Sequence, residues 1–432
     1  MRRLALLALA LLLLTACGRP AGMPTDEAYH PGTDHPYPMQ SNHSSFFTLF
    51  VETEKGYYFR VPDMLFYMDA DTMEPLPVCS KPNCLHYEEN DRQVFRTCDA
   101  YLPCSVFPTY TGMYDGSLYM WTKDIGVGED GWNKTIDVIL RVSPDGTRRE
   151  TLWTLGYSGT GMDVGLIFHR GTMYRATETR DESGTKHVVL AAYSLADPGR
   201  EAEVLYEAEY TGWQSSIYNL TAYGNRLYFT RPMPDSDYAE LCVLDLRTGE
   251  LTVPELPDPD FDPLFVTFCG GKLLLECLDK LPPGTREEAY RTDRTERLYR
   301  GELDGSGWEL LGETRIGCFS ADERYIYKVP EFYSGGEKDP YVHIWDADMN
   351  ELDRIDLTEL ADPAQYSMAC CMSGSGDQAF LGLWLREDTG PAYRYYWFSK
   401  SDIGSGNIEL HRFFDNDGDE YSAARVDRES MR

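Results

Sequence analysis

Four cysteines and a histidine crowd the stretch "PVCSKPNCLHYEENDRQVFRTCDAYLPC": Cys79, Cys84, His86, Cys98 and Cys104. Thiolates and imidazoles are ligands for zinc and iron, and thiols also oxidise to disulfides in exported proteins. The spacing is not the paired Cys-x2-Cys of common zinc modules, nor the Cys-x-x-Cys-His of haem attachment. The residues leave three outcomes open: disulfides, a zinc or iron site that uses the thiolates with His86, or free thiols. Local disulfides would join Cys79 to Cys84 and Cys98 to Cys104, but the connectivity does not follow from sequence. Apart from this segment the sequence calls for no cofactor.

Other chemistry is sparse. "GYSGTG" (156–161) approaches a nucleophile elbow but carries Thr160 where glycine is needed. No His-Glu-x-x-His, phosphate-binding loop or dinucleotide fingerprint occurs. "SPDGTRRETLW" starts like the Asp-box of sialidases, but Gly146 comes one residue early. "DNDGDE" (415–420) imitates a calcium loop, yet Glu420 and Val426 fall where glycine and glutamate belong. Residues 415–432 therefore read as a solvated acidic tail. The 71 acidic residues are too many to nominate a glycosidase pair, because separation in space decides that chemistry. No catalytic residue is named.

The remaining cysteines, Cys242, Cys269, Cys277, Cys318, Cys370 and Cys371, fall in or beside expected strands and read as small buried residues.

The chain of 432 residues opens "MRRLALLALALLLLTACG". Arg2 and Arg3 precede an apolar run from Leu4 to Leu14, too short for a comfortable membrane span. Small residues then lead into Cys17. The stretch resembles the bacterial lipoprotein signal, which implies removal of residues 1–16 and lipid (palmitate) on Cys17. Residues 17–45, rich in Pro, Gly, Ser and His, read as a flexible tether. The expected location is extracytoplasmic, anchored to the membrane rather than threaded through it.

The formal charge is −31, and loss of Arg2 and Arg3 would bring it to about −33. Such a surface repels nucleic acid and anionic headgroups. Cell-wall glycans, peptides or other envelope proteins remain as candidate partners.

The elements that must position any site come from a repeat. A Gly or Asp turn followed by a Tyr/Leu-rich run recurs seven times, as "EKGYYFRV" (54), "YDGSLYMW" (114), "HRGTMYRA" (169), "YGNRLYFT" (223), "CGGKLLLE" (269), "DERYIYKV" (322) and "GDQAFLGLWL" (376). An apolar or alternating run precedes each. Hairpins with Asp/Gly turns interleave, from "LFYMDADTMEPLPV" (65) to "YWFSKSDIGSGNIELHRF" (396). No segment holds a 3.6-residue apolar period. Four antiparallel strands repeated seven times predict an all-β, seven-bladed β-propeller over 46–414.

Within a blade A-B-C-D, the A–B and C–D turns fall on one face, and the B–C and D-to-next-A connections on the other. The turns are short. The B–C segments Thr122–Thr135, Thr177–Lys186, Arg231–Ala239, Leu278–Thr295 and Pro330–Pro340 read as long polar loops. That elaborated face is the expected binding face. Trp132, Tyr238, Tyr290, Phe332 and Tyr333 are its candidate ligand contacts, while most of the 30 tyrosines should pack between blades. The Cys-rich segment 79–104 reads as an excursion between blades 1 and 2. It carries little apolar content and so needs a staple. Asp69/Asp71 and Asp346/Asp348 should support C–D turns.

"HIWDADMNELDRI" resembles the Trp-Asp strand of WD40 repeats, but it occurs once without the Gly-His partner, so no WD40 function follows. As a whole the chain resembles the uncharacterised propeller-type lipoproteins of gut Firmicutes, many with a similar Cys-x4-Cys-x-His element early in the chain. The resemblance implies architecture and location more than chemistry. Binding or scaffolding through the loop-rich face is the expected function. The alternative is a propeller hydrolase or lyase acting on surface polysaccharide or peptide.

Overall fold

The computed structural model describes residues 23–35, 50–61, 64–86, 97–102, 111–127, 133–157, 162–210, 217–233, 238–280, 295–314, 317–330, 340–360, 362, 366–373, 376–387 and 390–415. The alternation of apolar residues is resolved into seven four-stranded antiparallel sheets, each built from consecutive strands. They span 50–77, 111–157, 162–210, 218–252, 261–314, 317–356 and 366–415, numbered here as blades 1 to 7. Each of the seven turn-plus-strand repeats is strand B of its blade. Helix among the described residues is confined to 3-10 turns such as Leu357–Glu359 and Lys400–Asp402.

Side chains alternate across a strand, so each sheet buries both of its faces against neighbours. The result is a series of apolar seams. In blade 1, Phe50, Phe59, Phe66 and Met68 face blade 7, whereas Val51, Tyr58 and Leu65 face blade 2. The same sorting continues round the ring, through Phe168 with Tyr119 and Tyr228 with Phe268, to Leu381 with Ile344 between blades 6 and 7. Near the axis the inner strands crowd. A Cβ on Gly112 of blade 2 would stand 2.3 Å from the Phe168 Cβ of blade 3, which explains glycine there.

Among the described residues blades 1 and 7 share no strand, so ring packing and two hydrogen bonds close the ring. Phe50 stacks on Phe380 at 4.5 Å, and Phe413 meets Phe50, Phe59 and Phe380 edge-on. Tyr57 donates to Gln378 (2.9 Å), and the Gly376 N–H donates to Glu52 (2.9 Å).

Turn chemistry follows the sequence. Asp69 Oδ1 accepts from the Asp71 N–H at 3.0 Å, and Asp346 Oδ1 from the Asp348 N–H at 2.9 Å. The first acid of each pair holds the turn. Asp348 instead reaches Arg300 of blade 5 at 2.7 Å.

Two segments expected as long loops are in large part strand: 122–127 and 133–135 of the first, 177–180 and 186 of the second. Strands B and C of blade 2 run Ser117–Val127 and Asn133–Val142, and those of blade 3 run Thr172–Arg180 and Lys186–Ser194. The pairings Ile125↔Thr135 and Thr179↔His187 extend the hairpins, because the β-branched residues there favour the ladder over a loop. The longer B–C connections are those between Lys280 and Thr295 and between Pro330 and Pro340.

Candidate functional site

The A–B turn face is covered by the chain itself. Residues 23–35, expected as part of a flexible tether, are docked there, which corrects that reading for this stretch. The anchor is Arg170, in the A–B turn of blade 3. Its Nε and Nη2 donate to Asp34 Oδ1 and Oδ2 at 2.8 and 2.9 Å. Nη1 donates to the carbonyls of Pro24 and Asp26 at 3.2 and 2.8 Å, and Nη2 to that of Ala28 at 2.8 Å. The planar fork of five donors is thus used throughout. The Asp34 and Arg170 side chains are both 2% exposed. In blade 4, Asn225 Nδ2 donates to Thr25 O (2.8 Å), and Arg226 pairs with Glu27 (2.9 Å).

A buried relay finishes the docking. The His35 N–H donates to His169 Nδ1 at 3.1 Å, and His169 Nε2 lies 2.9 Å from Gly224 O. With Nδ1 accepting, the ring is neutral and its proton sits on Nε2, donated to that carbonyl. On the far side of the ring Gly32 lies against the backbone of Glu52 and Thr53 in blade 1. The segment thus bridges the A–B turns of blades 3 and 4 to blade 1 and forms a strap across this face. Tyr29 packs against the seam of blades 4 and 5. Burial and the Glu52, Asp34 and Glu323 carboxylates push its hydroxyl well above the usual tyrosine range.

Sequence reasoning missed this strap because a short polar run has no periodicity. One signal was present. Arg170 has φ +47° and Gly171 has φ +73°, a turn in which Asn, Asp or Gly is the easy choice. Asp115 and Gly224 occupy comparable left-handed positions in blades 2 and 4. Arginine in such a place acts through its side chain, which holds the strap.

The Cys/His segment lies at the rim of blade 1. Strand D there ends after three residues, Pro75–Pro77. The chain then leaves and returns at 97–102 to complete the missing half of the strand. The Val78 N–H donates to Leu65 O (2.9 Å), the Leu65 N–H to Ala100 O (2.9 Å), and Met64 bridges Tyr101. The excursion therefore interrupts an outer strand as well as joining two blades. Cys79, Cys84, His86 and Cys98 converge, their ligand atoms all within 4.8 Å of one another. The three thiols are free, with no disulfide joining them. Cys98 Sγ stands 3.5 Å from His86 Nδ1. Burial pushes the Cys98 thiol up to about 12. At Cys79 burial raises the thiol, but hydrogen bonds from the Lys81 and Asp99 N–H groups and from Cys98 and Cys84 outweigh it and lower it overall.

Cys104, Cys17, Trp132, Tyr290, Phe332 and Tyr333 lie outside the described residues. Tyr238 is described, at the blade 4 B–C connection, with the Lys280 ammonium 4.7 Å from its ring centre. Cys242, Cys269 and Cys277 are buried as small apolar residues, and burial pushes the Cys242 and Cys269 thiols up to about 12.

Two carboxylates, Glu276 and Glu296, are 1% exposed in blade 5. Their cross-strand partners are Leu298 and Leu278, and Leu298 packs into the blade 5–6 seam beside Phe319. The two carboxylates thus lie on the blade 5–6 side of their sheet, the side of Leu298.

The architecture defines the chain as a seven-bladed β-propeller. No protein-family model matches the sequence, and no curated protein matches it. Solved structures share the fold. An oligogalacturonate lyase in complex with manganese aligns at TM-score 0.49 and 10% identity, covering 84% of this chain and 89% of that one. The oligogalacturonate lyase of Vibrio parahaemolyticus aligns at TM-score 0.49 and 8% identity, with coverages of 84% and 89%. The β-propeller domain of the Trilobed protease from Pyrococcus furiosus aligns at TM-score 0.39 and 12% identity, covering 73% of this chain and 97% of that one. Likeness at this level is of fold alone.

Proposed function

We propose that the chain is an extracytoplasmic binding protein, held to the cell membrane by lipid on Cys17, that meets its ligand with the face bearing the B–C and D–A connections. The observation that carries this reading is the strap. Pro24, whose carbonyl Arg170 holds, lies seven residues after Cys17, a reach of at most about 25 Å. A lipid on Cys17 would hold the A–B face towards the bilayer and turn the loop-bearing face outward. The strand ends at Lys280, Thr295, Pro330 and Pro340 lie at that outward face, as does Tyr238. A surface of −31 favours neutral or cationic ligands, which fits a cell-wall glycan, a peptide or an envelope protein and not nucleic acid.

Palmitate labelling of cells that make the protein tests the anchor. Wild type should incorporate label and sediment with membranes, and Cys17→Ala should do neither. Equal membrane association of Cys17→Ala would remove the reading. Arrays of cell-wall glycans and peptides, probed with the soluble chain and with a chain deleted for 281–294, test the face; a hit that the deletion leaves unchanged would place binding elsewhere.

A further inference from the structure

We propose that Cys79, Cys84, His86 and Cys98 hold one Zn2+ ion in a closed tetrahedral site, and that this ion staples the interrupted outer strand of blade 1. The four donors converge although they come from two separate lengths of chain, 79–86 and 97–98. Sulfur and nitrogen ligands of a tetrahedral zinc, at about 2.3 and 2.0–2.1 Å, lie roughly 3.6 Å apart. Cys98 Sγ and His86 Nδ1 are 3.5 Å apart. A disulfide would use two of the three sulfurs and leave a thiol and an imidazole aimed at it for no purpose. An iron–sulfur cluster sets several atoms between its ligands and would spread them wider than the 4.8 Å seen here.

The surroundings suit bound thiolates. The Cys79 sulfur accepts from the Lys81 and Asp99 N–H groups, and the Cys98 sulfur from the Ala100 N–H. In each case one donor lies two residues beyond the cysteine, so the backbone curls round the sulfur. Such outer hydrogen bonds orient ligands and stabilise the thiolate form. Asn83 and His86, at φ +62° and +52°, make the tight turns that bring Cys84 and the imidazole back to the same point. Binding displaces three thiol protons, so the ion with three thiolates and a neutral imidazole carries one negative charge. Two cations stand by it: Lys81, paired with Asp99 at 2.9 Å, and Arg149, which donates to Tyr101 O. All four positions are filled by protein, which makes the site structural rather than catalytic.

The fold supplies the need. Strand D of blade 1 has three residues, and the returning segment that completes it carries Ala100 and Cys98, which pack with Met68, Phe66 and Phe380. The staple therefore shapes the surface on which blade 7 closes the ring.

The test uses the chain from residue 18 onward, purified anaerobically with reductant. Elemental analysis should give one zinc per chain. Exchange for Co2+ should give the thiolate-to-metal band and the visible bands of a tetrahedral site. Cys84→Ser and His86→Ala should lose or shift these bands, and His86→Cys should restore a tetrahedral spectrum with shifted maxima. Because a variant may fail to fold, the wild-type chain is also stripped with a chelator; amide exchange should rise at least tenfold at 64–66 and 97–102 while blades 3 to 5 stay protected. Stoichiometric iron or copper, a disulfide between any two of Cys79, Cys84 and Cys98 without metal, or three free thiols that ignore added zinc would each overturn the proposal.

Discussion

Phe50, in the first strand of the ring, stacks on Phe380, in the last blade, with centroids 4.5 Å apart and planes 16° from parallel. Residues 330 positions apart in sequence thus meet at a junction where, among the described residues, no strand is exchanged. Both are buried, at 4% and 2% exposure. Ring closure here rests on packing and on the Tyr57–Gln378 and Gly376–Glu52 hydrogen bonds.

Phe380→Ala should therefore lower stability by about 3–5 kcal/mol, the usual loss for a buried phenylalanine. Phe380→Leu should lose less. Denaturant unfolding measures both. The signature of ring opening is faster amide exchange in 50–61 and 378–387 before the other blades. A loss spread evenly over all blades would show that the clasp is not a local weak point.

The blade 6–7 seam contains a different kind of contact. Lys400 Nζ lies 2.7 Å from Asp322 Oδ2, and both side chains are 1% exposed. Asp322 also accepts from the Arg324 and Tyr325 N–H groups and the Tyr327 hydroxyl, at 2.7, 2.8 and 2.9 Å. Lys400→Met would leave this carboxylate buried without its cation, and should destabilise by about 3–5 kcal/mol. Joint replacement with Asp322→Asn should recover part of the loss. A double-mutant cycle by thermal unfolding checks this; strict additivity would mean that the two groups do not interact.

The blades were legible because each repeats a turn residue, a Tyr/Leu strand and an Asp-capped hairpin, and those patterns are local. "HRGTMYRA" gave its strand boundary to within a residue. The extended hairpin at Lys123–Asp137 was not legible, because Lys, Asp and Gly there mask a ladder that only pairing reveals. The Cys/His segment was visible as chemistry, but its spacing alone could not say that His86 and Cys98 would meet. Nor could it say that Ala100 would stand in for the missing part of strand D, since that depends on where Pro77 ends the strand. The strap was hidden because it is specified by its receptor, Arg170, rather than by its own pattern.

Arg170→Ala should release the strap. It removes two bonds to Asp34 and three to backbone carbonyls, and leaves Asp34 buried without a cation unless the segment leaves. Protease should then cut between residues 23 and 35 while the blades stay intact. The expected loss is about 3–5 kcal/mol of docking. The pair Arg170→Met with Asp34→Leu should retain more docking than Arg170→Ala. Unchanged protection of 23–35 in Arg170→Ala would show that the Asn225 and Glu27 contacts suffice.

Docking of the strap should also depend on pH, with His35 as the sensor. Its imidazole is 4% exposed. Burial, with the nearby His169 adding, lowers it from 6.5 to about 3. The other charges at the site, Asp34 and Arg170, neutralise each other and so give an incoming proton little help. When the strap undocks, His35 regains water and its ordinary affinity for a proton. Above pH 6.5 both states are neutral, and docking keeps its full strength. As pH falls below that value the undocked state takes up a proton that the docked state refuses, so docking weakens until about pH 3, where the docked ring titrates as well. At pH 5 the loss is about 2 kcal/mol. Amide exchange or proteolysis of 23–35 across pH 7.5 to 4.5 reads this directly. The slope should flatten in His35→Gln, which keeps the N–H donated to His169 but cannot titrate. A wild-type strap equally protected at pH 5 and 7.5 would mean that the ring is solvated when docked, contrary to its burial beside His169.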